Sequence, residues 1–397
     1  MDQTTAHQAI DRVDYLDGLR GLAALGVVIT HFICIFLPSW YLSKGEPGTL
    51  PEGIGFVISQ TPLNLVYFNG NFAICIFFML SGYVLSYSFF TKGRIASLKF
   101  NVIKRYFRLL LPIVFAVLLS YVVLRLGLYY NQGVAAITGS GFAAGFYTFT
   151  ASLPYALWEA FFGVLFFNQT LYDDPLWTVA MEFYGSVMVF ILLMIFAKNP
   201  TYRFYVYAVL IAVFFIVKPL FLPFVLGMFL CDLNTRPHKY FSEYTRASLW
   251  LIFIIGLLLA SVPQHWSGGV FFEHFGRMID ESPLDFNNPT LTHTIGAFLV
   301  MIGITNLAEP RRFLSMAIPK FLGRISYAMY VLHFIVLFSL TCWLFLALYD
   351  SFGFALSVAI SLVLSLAVIF AVSYAVTRLV DDPGIRFSKW VAERWGK

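Results

Sequence analysis

The sequence predicts an all-α fold, a polytopic membrane helical bundle of about ten transmembrane helices with both termini cytoplasmic. Apolar residue types make up 59% of the 397 residues and charged ones only 12%, outside the range of a soluble globular domain. Apolar runs of roughly 17 to 25 residues, long enough to span a bilayer, recur along the whole chain. The basic residues sort by side. With the N-terminus in the cytoplasm, 22 of the 26 Lys and Arg residues lie inside, and only Lys44, Arg125, Lys218 and Arg277 lie outside. The net charge of +5 is therefore an orientation signal, and no nucleic-acid partner is expected.

Each element follows from its run. The first, Leu19–Leu37, succeeds a tail carrying Asp2, Asp11, Asp14 and Asp17 and lacks a small-residue cleavage site, so it is read as a retained span. Asn71–Phe90, Phe107–Tyr129 and Leu176–Ala197 come next. Phe204–Leu230 is long enough for two short, tilted helices broken at Lys218-Pro219, where proline removes a backbone donor. Ser248–Pro263, Thr290–Leu307, Ile325–Leu348 and Phe352–Arg378 complete the set. Leu153–Phe167 is apolar but only about 15 residues long, which suits an interfacial or re-entrant helix. The chain thus divides into a transmembrane domain over residues 1–380 and a cytoplasmic tail over 381–397. Its longest polar stretches are the outer connections Pro38–Gly70, Tyr130–Pro175 and Gln264–Pro289, none large enough to fold alone. No internal repeat is visible, which disfavours transporters built from inverted repeats. Cys34, Cys75, Cys231 and Cys342 have no metal-ligand spacing and read as packing residues, so no metal is expected.

Chemistry concentrates in the first span. Arg20 and His31 are eleven residues apart, about three helical turns, so both project from one helix face roughly 16 Å apart. Polar groups in a bilayer are costly and point to function. Glu182, in PLWTVAMEF, lies about six residues, or ~9 Å, below the outer end of its span, a depth similar to that of His31. Tyr327, Tyr330 and His333 recur at three-residue intervals on one helix flank. Ser81 precedes Gly82, which permits close approach of backbone or ligand. Arg105 and Arg108, in the basic loop Lys92–Arg108, lie at the mouth of the third span, where guanidinium groups clamp phosphates. A histidine supplies a base near neutral pH, and a carboxylate beside it fixes its tautomer. The combination suits group transfer from a cytoplasmic phosphorylated carrier to an acceptor on the opposite face.

These residues resemble a known family. YLDGLRGLAALGVVITHF resembles the opening motif of the membrane acyltransferase-3 family, an Arg followed after ten residues by His. Gly-Asn with FFMLSGYVLS, KRYFRLLLP, LWTVAMEF and ISYAMYVLH resemble its later motifs, in family order from Tyr15 to about His333. The resemblance implies O-acyltransfer, usually of acetyl from acetyl-CoA, onto hydroxyls of bacterial surface polysaccharide, lipopolysaccharide, peptidoglycan or glycosylated metabolites, at the bacterial inner membrane. It implies His31 as the catalytic histidine, Arg20 as its motif partner, Glu182 as the motif glutamate, and Arg105 and Arg108 as the basic-loop arginines. Many members carry a fused extracytoplasmic esterase-like domain; this chain is read as the stand-alone form, passing the acyl group to the carbohydrate directly or to a separate extracytoplasmic transferase.

The expected mechanism follows. Acyl-CoA phosphates sit at Arg20, Arg105 and Arg108, His31 deprotonates the acceptor hydroxyl, and Glu182 orients the imidazole. Ser81 or Tyr327 hydrogen-bonds the developing oxyanion, with His333 as a further substrate contact; an acyl-His intermediate is a variant. Trp40, Trp158, Trp266, Asp173, Asp174 and Asp285 are candidates to hold a saccharide. The competing reading is a proton-coupled transporter or flippase of a lipid-linked or acylated substrate, with His31, Glu182 and His333 as a proton relay.

Overall fold

The computed structural model describes residues 3–42, 61–62, 69–93, 98–196, 202–236, 240–263 and 289–395, and every regular element among them is helical. The long helices are α1 (Gln3–Phe36), α2 (Gly70–Lys92) and α3 (Leu98–Arg125). The outer connection after α3 holds α4 (Asn131–Thr138) and α5 (Leu153–Phe167). Then come α6 (Leu176–Phe196), α7 (Arg203–Val217), α8 (Leu222–Thr235) and α9 (Arg246–Ala260). The series ends with α10 (Pro289–Asn306), α11 (Ala308–Leu314), α12 (Ala317–Val336), α13 (Cys342–Val376) and α14 (Asp382–Trp395).

The protein is a multi-pass helical membrane bundle. Among the described residues five helical stretches are long and apolar enough to cross a bilayer alone, the last being the run Ala317–Arg394. That run folds back on itself at Gly353, whose φ of 69° only glycine adopts freely, so it supplies two antiparallel passes. The break at Lys218 divides α7 from α8 into two short passes, as the proline there demands. Between α10 and α11 the axis turns by 94°. The starts of α1, α12 and α14 share one end of the bundle, held by the ion pairs Asp14–Lys320 and Arg324–Asp382. Both described ends of the chain therefore lie on the same face.

Helix contact at bare backbone builds the site. A Cβ added to Gly21 of α1 would lie 2.2 Å from the Gly323 nitrogen of α12, and one on Gly323 would lie 2.3 Å from the Asp17 carbonyl oxygen. Small residues let membrane helices approach until backbones touch, and here they set α1 against α12 in fixed register. The close approach expected at Gly82 is to backbone: its Cβ would lie 2.1 Å from the Phe224 carbonyl oxygen of α8.

The structure revises two local expectations and narrows a third. Helix α3 begins at Leu98, so Arg105 and Arg108 stand inside its first turns and not in a loop, because LKFNVIKRYFRLLL is an uninterrupted helix-forming run. The tail beyond residue 381 folds as α14 and packs along α3, with the Phe387 ring 5.5 Å from that of Phe107. Helix α5 dips beside α3, bringing the Phe166 ring to Tyr106 and Phe183, and the chain returns outward through residues 168–175. The return is pinned by Glu159, a fully buried carboxylate that accepts the backbone N–H groups of Leu171 and Tyr172. The re-entrant alternative thus describes Leu153–Phe167. All four cysteines are buried thiols. Lys44, Trp266, Arg277 and Asp285, with most of the first and third outer connections, lie outside the described residues.

Candidate active site

A cavity of about 290 Å³ opens among the ends of α1, α3, α12 and α14 and runs inward between α2 and α6. Four guanidinium groups reach it: Arg20 from α1, Arg105 and Arg108 from α3, and Arg324 from α12. Four carboxylates, those of Asp17, Glu182, Asp381 and Asp382, line it as well, together with hydroxyl groups that include Ser81. The inner end is closed by Phe77, Thr178 and Tyr330. There the Thr178 and Tyr330 hydroxyls are 2.6 Å apart, and the Phe77 ring meets that of Tyr330 edge-on at 5.6 Å.

Three of the four arginines have acidic partners. Arg20 pairs with Asp17 at 2.7 Å, one helical turn back. Arg105 pairs with Glu182 and also donates from Nε to Ser186 at 3.1 Å, while Ser81 donates to Glu182 at 2.9 Å. Arg324 lies 4.0 Å from Asp382. Among the described residues Arg108 makes neither a hydrogen bond nor an ion pair, although Arg20 and Arg105 flank it. Three cations around one half-buried opening repel one another unless an anion sits between them. Asp17, Glu182, Asp381 and Asp382 line the same opening, so these guanidinium groups stand among carboxylates.

Beyond Tyr330 lies a pair of imidazoles. His333 Nδ1 is 2.6 Å from the Tyr330 carbonyl oxygen, and His333 Nε2 is 2.7 Å from His31 Nδ1. The two rings stack with centroids 5.0 Å apart at 9°. His333 is fully buried, whereas His31 is half-buried beside the second outer connection. There Phe142 lies nearly parallel to the His31 ring at 5.7 Å, and Phe334 meets it edge-on at 5.3 Å. The short helix carrying Phe142 is tied to the outer end of α1, because Ser140 donates to the Cys34 carbonyl and Thr138 to that of Ile35.

The sequence-derived residues thus fall into two groups. Arg20 and His31 stand on one unbroken helix, the first at the cavity mouth and the second past its inner end. Glu182 does not touch His31; it belongs to the cavity group with Arg105 and Ser81. A permanently charged guanidinium is the stronger partner for a carboxylate in a low-dielectric setting, and it takes precedence over an imidazole. The Tyr327 hydroxyl donates to the Leu109 carbonyl at 3.0 Å and that of Ser81 is spent on Glu182, so neither is directed at an oxyanion. His333 is brought directly onto His31. On the outer side Trp158 remains exposed, but Asp173 is fully buried and neither carboxyl oxygen has a hydrogen-bond partner. Burial holds the Asp173 carboxyl well above the usual carboxylate range, with Asp174 and Glu159 adding to the effect.

Sequence reasoning missed Thr178, Arg324 and Asp381. Helical spacing carried a signal for two of them: Thr178 precedes Glu182 by four residues, and Arg324 precedes Tyr327 by three, so each shares a face with a residue already singled out. Nothing local marks Asp381, which follows the last apolar run.

Comparison with known proteins agrees with this architecture. The family profile described as an acyltransferase domain, acyltransferase 3, matches residues 13–376, which takes in the histidine pair and the cavity lining apart from Thr377, Asp381, Asp382 and Ile385. O-acetyltransferase PaAT-1 of Phomopsis amygdali is 24% identical over 367 residues, covering 80% of this chain and 71% of that protein. No solved structure matches. The chain belongs to the acyltransferase-3 family of membrane O-acyltransferases.

Proposed function

We propose that this enzyme transfers an acetyl group from cytoplasmic acetyl-CoA to a hydroxyl of a surface or lipid-linked carbohydrate, with His31 as the base. The observation that carries the donor assignment is Arg108, a guanidinium flanked by Arg20 and Arg105 and without an ion pair among the described residues. Coenzyme A carries a pyrophosphate and a 3′-phosphate, and bidentate guanidinium–phosphate contacts are the favoured way to hold them. Arg20, Arg108 and Arg324 would take these groups at the mouth. Arg105, already paired with Glu182, would position that wall. The narrow inner arm between α2 and α6 would take the pantetheine chain and bring the thioester to Thr178 and Tyr330. A hydroxyl of that pair would hydrogen-bond the thioester carbonyl as charge develops on its oxygen.

The step is a direct transfer. His31 takes the proton of the acceptor hydroxyl while that oxygen attacks the thioester carbon. The tetrahedral intermediate then expels the thiolate, which recovers the proton from His31, leaving ester and free coenzyme A. Aromatic rings on the outer side of His31, Phe142 and Phe146 among them, offer faces on which a sugar ring stacks. The name of the fungal relative supports acetyl as the group moved. The histidine pair gives little support to a proton-relay transporter, since it ends on the Tyr330 backbone carbonyl, which has no proton to pass on, and Glu182 stands apart with Arg105. Purified protein supplied with labelled acetyl-CoA and a panel of lipid-linked glycans tests the reading. Release of coenzyme A with label in a glycan ester, abolished in His31→Ala, supports it; release of coenzyme A that His31→Ala leaves unchanged removes His31 from the chemistry.

A further inference from the structure

With both imidazoles neutral, the hydrogen-bond chain through the histidine pair has only one proton arrangement that satisfies every atom. The Tyr330 carbonyl oxygen, 2.6 Å from His333 Nδ1, can only accept, so that nitrogen carries the proton. A neutral imidazole bears one N–H, which leaves His333 Nε2 as a lone-pair acceptor. His31 Nδ1, 2.7 Å from it, must then donate. His31 is held as its Nδ1–H tautomer, and its lone pair sits on Nε2, the nitrogen that His333 does not engage.

We infer that His333 is the positioning residue for the base: it orients His31, fixes its tautomer and so makes Nε2 the atom that accepts the acceptor's proton. The carboxylate that a histidine base commonly relies on is not in contact with His31 among the described residues, because Glu182 is engaged by Arg105 and Ser81. A second histidine, itself oriented by a backbone carbonyl three residues earlier, takes that place. The backbone contact between Gly21 and Gly323 fixes the separation of the helices that carry the two rings. When His31 Nε2 takes up a proton, the Nδ1–H bond to His333 becomes a charge-assisted one, and such bonds are roughly twice as strong as neutral ones. The pair thus favours the protonated base at the moment the hydroxyl is deprotonated. When Nε2 gives its proton to the leaving thiolate, the original tautomers are restored and no proton is gained or lost.

The inference rests on His31 being the base, and the two are tested by different readouts. Full-length protein labelled with 15N-histidine reports the His31 tautomer directly by NMR, without reference to turnover, with the His31 signal assigned by its loss in His31→Gln. Wild type is expected to show protonated Nδ1 and bare Nε2. His333→Leu removes the acceptor and is expected to release His31 to the Nε2–H form. In His333→Gln the side-chain carbonyl reaches the position of Nε2 and retains the Nδ1–H form. In steady-state kinetics, His333→Leu should lower kcat by about 100-fold or more, with the KM for acetyl-CoA nearly unchanged, and His333→Gln should recover most of that loss. A wild-type His31 carrying its proton on Nε2 overturns the inference, whatever the variants do. So does equal loss of kcat in His333→Gln and His333→Leu with the His31 tautomer unaltered. Retention of transfer by His31→Ala refutes the base assignment alone and leaves the tautomer result standing.

Discussion

Replacing Arg108 by alanine isolates the donor end of the site from the rest of the enzyme. Arg108 makes no hydrogen bond or ion pair among the described residues, so its removal breaks none; it relieves the repulsion from Arg20 and Arg105 and gives up the longer-range attraction of Asp381 and Glu182. The fold should therefore tolerate the change, unlike loss of Arg105 or Glu182. On the function proposed above, what would be lost is contact with the donor's phosphates. A hydrogen bond to a charged group contributes about 1.5–3 kcal/mol, so the KM for acetyl-CoA should rise about 10- to 150-fold, with kcat changed far less. Arg108→Lys keeps the charge but not the planar fork and should fall between the two. The control is S-acetylpantetheine, which carries the same thioester and arm without the nucleotide phosphates. Wild type should use it poorly, and Arg108→Ala should use it as well as wild type does, because no contact remains to be lost. The pair of donors and the pair of proteins form a double-mutant cycle whose coupling should approach the whole effect. Equal losses with both donors would refute the assignment of Arg108 to the phosphates, and an unchanged KM for acetyl-CoA would place the donor elsewhere.

Three further outcomes follow from packing and charge. Glu182→Gln leaves the part-buried Arg105 without its counter-charge, a loss of about 3–5 kcal/mol for a buried pair and somewhat less at this exposure, read as a lowered midpoint of thermal unfolding in detergent; Arg105→Leu with Glu182→Leu should recover much of it. Gly323→Val forces a side chain onto the Asp17 carbonyl, where even a Cβ would lie 2.3 Å away, so α1 and α12 must separate; overpacking of this kind costs about 1–3 kcal/mol, and transfer should fall together with stability. Asp173, outside the spans, has its pKa raised on folding, so its contribution to stability is present below the unfolded value of about 3.9 and is lost as pH rises through the folded one. Asp173→Asn should accordingly flatten the decline of thermal stability toward alkaline pH, and an unaltered pH dependence would contradict it.

Much of the fold was legible because hydropathy and the sidedness of basic residues are local properties. The short passes around Lys218-Pro219 and the limited length of Leu153–Phe167, which left it interfacial or re-entrant, could each be read from one stretch of chain. Pairing across the bundle could not. Depth along a helix suggested that Glu182 and His31 meet, but rotation about the helix axes decides which neighbour a side chain faces, and Glu182 faces Arg105. The same limit hid the direct contact of His333 with His31 and the approach of Asp381 to the cavity. Helix α14 escaped notice because its amphipathic pattern follows the last apolar run and reads as a charged tail until α3 is seen beside it.

The central claim is that a cytoplasmic donor and an outer acceptor meet at His31. Proteoliposomes with the protein in a single, verified orientation test it, with labelled acetyl-CoA confined to the face bearing Arg108 and the glycan acceptor confined to the opposite face. The expected result is labelled ester on the acceptor side, free coenzyme A on the donor side, and a rate lowered by about two to four orders of magnitude in His31→Ala. Transfer only when donor and acceptor share one face, or transfer at the wild-type rate by His31→Ala, would contradict it.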